Sequence, residues 1–202
     1  EEMLALEYTK SFTFYKIGLC YKENKQFVQA LNAFQKSLRD DPQFYLSMME
    51  QSFVYEELGG MKEALHFAKE AVSFNESNLD YQKRLAFLYI DSGKYEESLA
   101  CLKTLVNLEP SRFYNWYAYS EVLMLIGDYE DAISVLNKAT KMHNRAELFY
   151  QQSNCYFHLN NQKDGRKSLT TALELDPKLL EDMQQKYPFI KEEVDKVKAK
   201  KK

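Results

Sequence analysis

Glycine recurs at Gly59, Gly93 and Gly127, 34 residues apart each time, and other residues travel with it. Tyr21, Tyr55 and Tyr89 keep the interval just ahead of a helix end, and Ala30, Ala64, Ser98 and Ala132 carry it through four copies. Pro42, Pro110 and Pro177 fall about two periods apart. A fixed period in this range means one supersecondary unit stacked on copies of itself, because a single copy cannot bury its own apolar face. Such a chain presents an extended surface, so it is expected to hold a partner.

The period divides the chain into units 11–44, 45–78, 79–112, 113–146 and 146–179. The fourth is one residue short, which compresses the joint from Asn144 to Ala146. Each unit shows two apolar stripes at i, i+3, i+4 and i+7, the signature of a helix with one buried face. In the third unit Leu85, Leu88 and Tyr89 mark the first helix, Ser92–Gly93–Lys94 the break, and Leu99, Leu102 and Leu105 the second helix. The glycine lies just past the first helix, where a left-handed backbone costs it least. Acidic residues then open the second helix (Glu63; Glu96 and Glu97; Glu130 and Asp131), facing the positive end of its dipole. Four prolines and six glycines among 202 residues are too few for a β-sandwich and suit helix throughout.

These residues resemble the tetratricopeptide repeat family. The first unit shows Phe14, Ile17, Gly18, Tyr21, Ala30, Phe34 and Pro42; the fourth shows Trp116, Gly127, Tyr129, Ala132, Leu136 and Ala139; the fifth shows Phe149, Tyr156, Leu169, Ala172 and Pro177. The resemblance covers roughly residues 11–179. It implies an all-α, right-handed α-solenoid of about five helix-turn-helix repeats with a C-terminal capping helix, a single domain over 1–202. Small residues (Ser52, Ala86, Ser120, Ser153) replace the family's helix-packing glycine. Gly165 stands where alanine is usual, which is expected to weaken the last second helix by up to about 1 kcal/mol. Residues 1–10 read as an N-terminal extension with Met3, Leu4, Leu6 and Tyr8 available for packing. Residues 180–202 read as a capping helix followed by a short fraying helix and a basic tail. The chain opens on Glu1 with no initiator methionine, and Tyr187–Pro188 is similar to the tail of long bacterial tetratricopeptide proteins of Bacteroidetes type. A C-terminal fragment is therefore expected.

Chemistry is sparse. His66, His143 and His158 are far apart, without a Cys or acidic neighbour at metal-ligand spacing. No Gly-x-Ser-x-Gly, phosphate-cradling loop or His-Glu-x-x-His occurs. Adjacent acids such as Glu56–Glu57 point to different sides of a helix and read as solvated. Cys20 and Cys155 share one repeat position and are expected to be buried and inert. Three cysteines in all point to a reducing compartment, and the cytoplasm is the expected location. No catalytic residue, metal or cofactor is expected. A net charge of −3 offers nothing to nucleic acid or an anionic membrane, and the lysines from Lys196 to Lys202 read as a solvated tail.

In the family the first helix of each unit lines the concave face, at repeat positions two, five, nine and twelve. Those positions put Phe12 and Tyr15, then Leu46, Met49 and Phe53, then Asp80, Lys83 and Phe87 on one face. Tyr114, Tyr117 and Glu121 follow in the fourth unit, and Tyr150, Asn154 and Phe157 in the fifth. An apolar, aromatic stripe of this length is expected to bind a peptide or helix of a partner protein. The Lys and Asn pairs with which some members clamp an acidic chaperone tail are missing, which favours an apolar, aromatic or mildly basic ligand. The rival expectation is architectural: self-association through the terminal stacking faces, or a spacer within a longer protein whose catalytic or targeting part lies upstream.

Overall fold

The structure, a computed structural model, describes residues 10–199. Met3, Leu4, Leu6 and Tyr8 of the expected extension, and Lys200, Lys201 and Lys202 of the tail, lie outside the described residues. All regular structure described is helical. The helices are α1 (Lys10–Glu23), α2 (Phe27–Asp40), α3 (Tyr45–Glu57), α4 (Met61–Phe74), α5 (Leu79–Asp91) and α6 (Tyr95–Leu108). They continue with α7 (Phe113–Leu125), α8 (Tyr129–Met142), α9 (Ala146–His158) and α10 (Gln162–Leu175), a 3-10 turn (Pro177–Leu179), α11 (Leu180–Lys186) and α12 (Pro188–Ala199). The chain divides into two compact units within α6, after Cys101. The first holds α1 to α5 and the start of α6; the second holds the rest of α6 and α7 to α12.

Consecutive helices form hairpins, and the backbone explains why the period is so strict. At the end of every first helix one residue turns left-handed: Lys25 (φ 57°), Gly59 (76°), Gly93 (69°), Gly127 (83°) and Asn160 (57°). The next amide then reaches back to the carbonyl five residues earlier. Gln26 bonds Tyr21, Gly60 bonds Tyr55, Lys94 bonds Tyr89, Asp128 bonds Leu123 and Asn161 bonds Tyr156, at 2.7–2.9 Å. The left-handed residue itself bonds the carbonyl three back, as Gly59 does to Glu56 at 2.9 Å. This pair of bonds is the Schellman closure, which satisfies carbonyls the helix end would leave orphaned. The glycine period is thus a period of backbone conformation, and it extends to two units where no glycine stands. A Cβ at Gly59, Gly93 or Gly127 would meet nothing nearby, so conformation rather than space selects glycine there.

Close approach governs the interior. Ala30, Ala64, Ser98 and Ala132 are fully buried, as their recurrence requires. Gly165 departs from expectation. It is buried in α10 with the Phe157 ring of α9 lying where its Cβ would stand. Alanine would gain helix propensity there and lose the fit, so what the glycine costs the helix is set against the packing it allows. In the first repeat the roles are exchanged: Gly18 of α1 makes room for Phe34 of α2.

The C-terminal segment also differs from expectation. The helix expected to fray, α12, docks on α9 and α10 with Ile190, Val194 and Val197 buried. Pro188 opens this helix, where its missing N–H is no loss. Within α12 the Glu193 carboxylate accepts from Arg166 Nε at 2.5 Å and from Lys196 Nζ at 2.6 Å. The bond from Arg166 holds Glu193 below the usual carboxylate range against the opposing effect of burial, and Lys196 adds to it. Lys196 is thus exposed, as expected, but paired with Glu193 of its own helix. The seven-residue α11 buries only Met183. No helix among the described residues is long and apolar enough to cross a membrane.

Candidate functional site

The first helices α1, α3 and α5 of the first unit carry the predicted face, and charge pairs tie them side by side. Lys22 Nζ of α1 lies 2.5 Å from Glu50 Oε2 of α3, and Arg84 Nη2 of α5 lies 3.0 Å from Glu56 Oε2 of α3. Arg84 Nε also donates to Ser52 Oγ at 3.2 Å. Between these pairs sits Phe53, with the Arg84 guanidinium 3.5 Å from its ring centroid and Lys22 at 5.5 Å. Burial pulls the Arg84 guanidinium below its ordinary value while Glu56 acts against that. The ring and the carboxylate together compensate a cation taken partly out of water.

Around Phe53 opens a hollow of about 220 Å³, lined by Phe53, Glu56, Asp80, Lys83, Arg84, Phe87 and Leu88. Four of these, Phe53, Asp80, Lys83 and Phe87, belong to the predicted set. Phe53 and Phe87 keep 38% and 42% of their surface exposed. Asp80 and Lys83 are exposed and stand outside every ion pair among the described residues. The remaining predicted residues of this unit are more tied. Tyr15 packs edge-on against Phe44 at 5.6 Å and beside Phe12 at 5.9 Å, and Leu46 is half-buried. Met49 is buried and offers no surface, because packing within the unit covers it. Burial, with help from Glu50, raises the Tyr15 phenol above its usual value. Burial and the neighbouring Tyr15 and Tyr45 push Tyr81 up to about 12.

In the second unit the face is occupied. Tyr114 projects outward, 72% exposed. Tyr117 and Glu121 of α7 lie beneath the end of α11: Lys186 Nζ donates to Tyr117 Oη and to Glu121 Oε1, both at 2.9 Å, and Tyr187 Oη donates to Glu121 Oε2 at 2.9 Å. The three predicted residues of the fifth repeat are buried, contrary to expectation, because packing claims each. Tyr150 donates weakly to the Asp176 carbonyl at 3.4 Å, Asn154 Nδ2 reaches Met124 Sδ at 3.6 Å, and Phe157 lies against Gly165. Burial, then the Asp176 charge, pushes the Tyr150 phenol up to about 12.

Sequence reasoning missed Glu50, Arg84 and Gln151, although all three stand at repeat position six. The charge reversal between Glu50 and Arg84, one period apart, was the available signal. It also missed Lys186 and Tyr187, which lie outside the periodic region. Cys20 is exposed rather than buried, whereas Cys155 is buried and burial pushes its thiol up to about 12. A further surface hollow, about 770 Å³, lies off the predicted face, where Lys62, His66 and Lys69 of α4 stand near Ser92 and Lys94. No group of three or more potential metal ligands occurs among the described residues.

Tetratricopeptide repeat models match residues 10–153 and again 146–179. Among curated proteins, the TPR repeat-containing protein MJ1428 of Methanocaldococcus jannaschii is 22% identical over 80% of this chain and 36% of its own length. ER membrane protein complex subunit 2 of Dictyostelium discoideum is 24% identical over 65% of this chain and 42% of its own. The chain thus spans well under half the length of these relatives. Among solved structures, YrrB, described as a TPR protein with an unusual peptide-binding site, superposes with a TM-score of 0.72 at 19% identity, covering 87% of this chain and 92% of its own. MamA does so with 0.72 at 17% identity, covering 85% and 94%. At such identities the likeness is one of fold. The repeat models, the helical hairpins and the recurring Schellman closures agree: the chain belongs to the tetratricopeptide repeat family, whose members act as protein-interaction scaffolds.

Proposed function

We propose that this protein binds a peptide or helix of a partner protein on the face formed by α1, α3 and α5, without chemistry of its own. The observation that carries the reading is the hollow between Phe53 and Phe87, two aromatic rings left exposed at equivalent repeat positions. Arg84, Lys22, Glu50 and Glu56 satisfy one another and hold Phe53 in place, so that ring is fixed before a ligand arrives. An apolar or aromatic ligand side chain would lie between the rings, and Asp80 and Lys83 would take up its flanking polar groups. With one free charge of each sign, the face does not demand an acidic ligand.

The test is selection of peptides from a random displayed library on the intact chain, followed by affinity measurement. Selected peptides are expected to lose at least about tenfold, roughly 1.4 kcal/mol, on Phe53→Ala or Phe87→Ala with helicity unchanged. Peptides that bind both variants as well as the parent would place the ligand elsewhere and overturn the reading.

A further inference from the structure

The contacts at the end of α11 have the form of a receptor and its ligand. Glu121 is oriented by a residue that belongs to neither α11 nor α12: Gln151, fully buried in α9, donates from Nε2 to Glu121 Oε2 at 2.8 Å. Gln151 is itself fixed, accepting from Ser120 Oγ at 2.7 Å and donating to the Tyr117 carbonyl at 3.2 Å. The carboxylate is thus aimed outward by its own framework, with Tyr117 beside it. Into this corner come one ammonium and one phenol. Lys186 Nζ reaches Glu121 and Tyr117 and lies 5.0 Å from the Tyr117 ring centroid, while Tyr187 Oη takes the other carboxylate oxygen. Burial opposes the Lys186 charge, yet the bonds to Tyr117 and Glu121 outweigh it and hold the ammonium above its ordinary value. Carboxylate and aromatic face together suit a cation, and the shared carboxylate suits a hydroxyl donor.

The segment that delivers this pair is a strap between firmer anchors. Upstream lies α10, and downstream α12 is held by Ile190, Val194 and Val197. Between them α11 spans seven residues, too short to persist on helix propensity alone. It is held by the buried side chains of Met183 and, at its end, Tyr187, and by Lys186 on α7.

We propose that the second unit carries a recognition site for a lysine–tyrosine step, built from Tyr117, Glu121 and Gln151, and that the chain's own Lys186–Tyr187 occupies it. A partner segment presenting the same step competes for the site. Because the resident pair is tethered, its effective concentration is on the order of millimolar, and a free segment at micromolar concentration is excluded until the strap loosens. This site is separate from the hollow at Phe53 and Phe87.

The experiment uses the intact chain and a fluorescent peptide copying Leu180–Ile190, read by anisotropy. The parent is expected not to bind at micromolar peptide. Lys186→Ala with Tyr187→Ala vacates the site and is expected to bind at least about tenfold more tightly. Adding Glu121→Gln removes that gain, while adding Phe87→Ala leaves it intact. A folded double variant that binds no better than the parent overturns the proposal, as does a gain that survives Glu121→Gln or vanishes with Phe87→Ala. Should the double variant fail to fold, Lys186→Glu sets like charges together without opening a cavity. Amide exchange over Leu180–Lys186 must then rise about tenfold while α12 keeps its protection; unchanged protection of α11 overturns the proposal equally.

Discussion

Phe53, Phe87, Glu121 and Asn154 occupy one position, the ninth, in successive repeats. In the first unit Phe53 and Phe87 stand exposed at the edges of a hollow; in the second Glu121 is engaged by Lys186 and Tyr187, and Asn154 is buried. Equivalent positions therefore do not have equivalent exposure. The repeat sets where a side chain points, and whatever is laid over that direction sets whether a partner can reach it.

The largest effect expected from this contrast lies in binding. Replacing Phe53 and Phe87 together by Ala should cost selected peptides about a hundredfold, since exposed aromatic anchors carry most of an interface's energy. Tyr117→Ala, under Lys186, should cost them less than about twofold. Equal losses in a titration would erase the distinction between an open and a closed face.

Next comes packing. Gly165→Ala should destabilise the protein by about 1–3 kcal/mol, the usual cost of forcing a carbon into a filled core. Helix propensity alone predicts a gain of about 1 kcal/mol, so the sign of the shift in denaturation midpoint decides which effect wins.

Two buried glutamines sharpen the contrast further. Gln151 bonds with Ser120, Tyr117 and Glu121, whereas neither amide atom of Gln51 has a partner among the described residues. Gln151→Leu should cost about 1–3 kcal/mol and Gln51→Leu should be neutral or stabilising, because only the first leaves other groups unpaired. A loss at Gln51 matching that at Gln151 would show that the first unit's glutamine is equally well satisfied.

The smallest effect is one of pH. His158 stacks on Tyr129 with centroids 4.1 Å apart and meets Phe189 of α12 edge-on at 4.6 Å. Burial lowers its folded pKa below the ordinary 6.5, so the unfolded chain takes up the proton first as pH falls. Its contribution is present above about pH 6.5 and is lost as pH falls from there through the folded value. A modest drop in melting temperature between neutral pH and about pH 5.5 should shrink in His158→Gln. An unchanged drop would assign it to other groups.

Much of the architecture was legible because the fold's rules here are local. Helix ends, the left-handed joint and the small residue at each close approach depend on neighbours within one repeat, so they recur with it. Lys25 and Asn160 show the limit of that reading: they perform the glycine's turn without its sequence signature. The site was legible in part for the same reason. Phe53, Asp80, Lys83 and Phe87 were placed together by register alone, whereas Met49, Tyr150, Asn154 and Phe157 shared the register and were claimed by packing that the register does not encode.

The sequence alone determined the repeat, its 34-residue length and the helical hairpins, since each follows from backbone conformation and apolar spacing over a few turns. Only the tertiary structure decided which stretch of the repeat face is open. That choice rests on contacts such as Lys186 to Tyr117 and Tyr187 to Glu121, made across 69 and 66 residues. No period links those positions, because the strap that joins them is not a repeat.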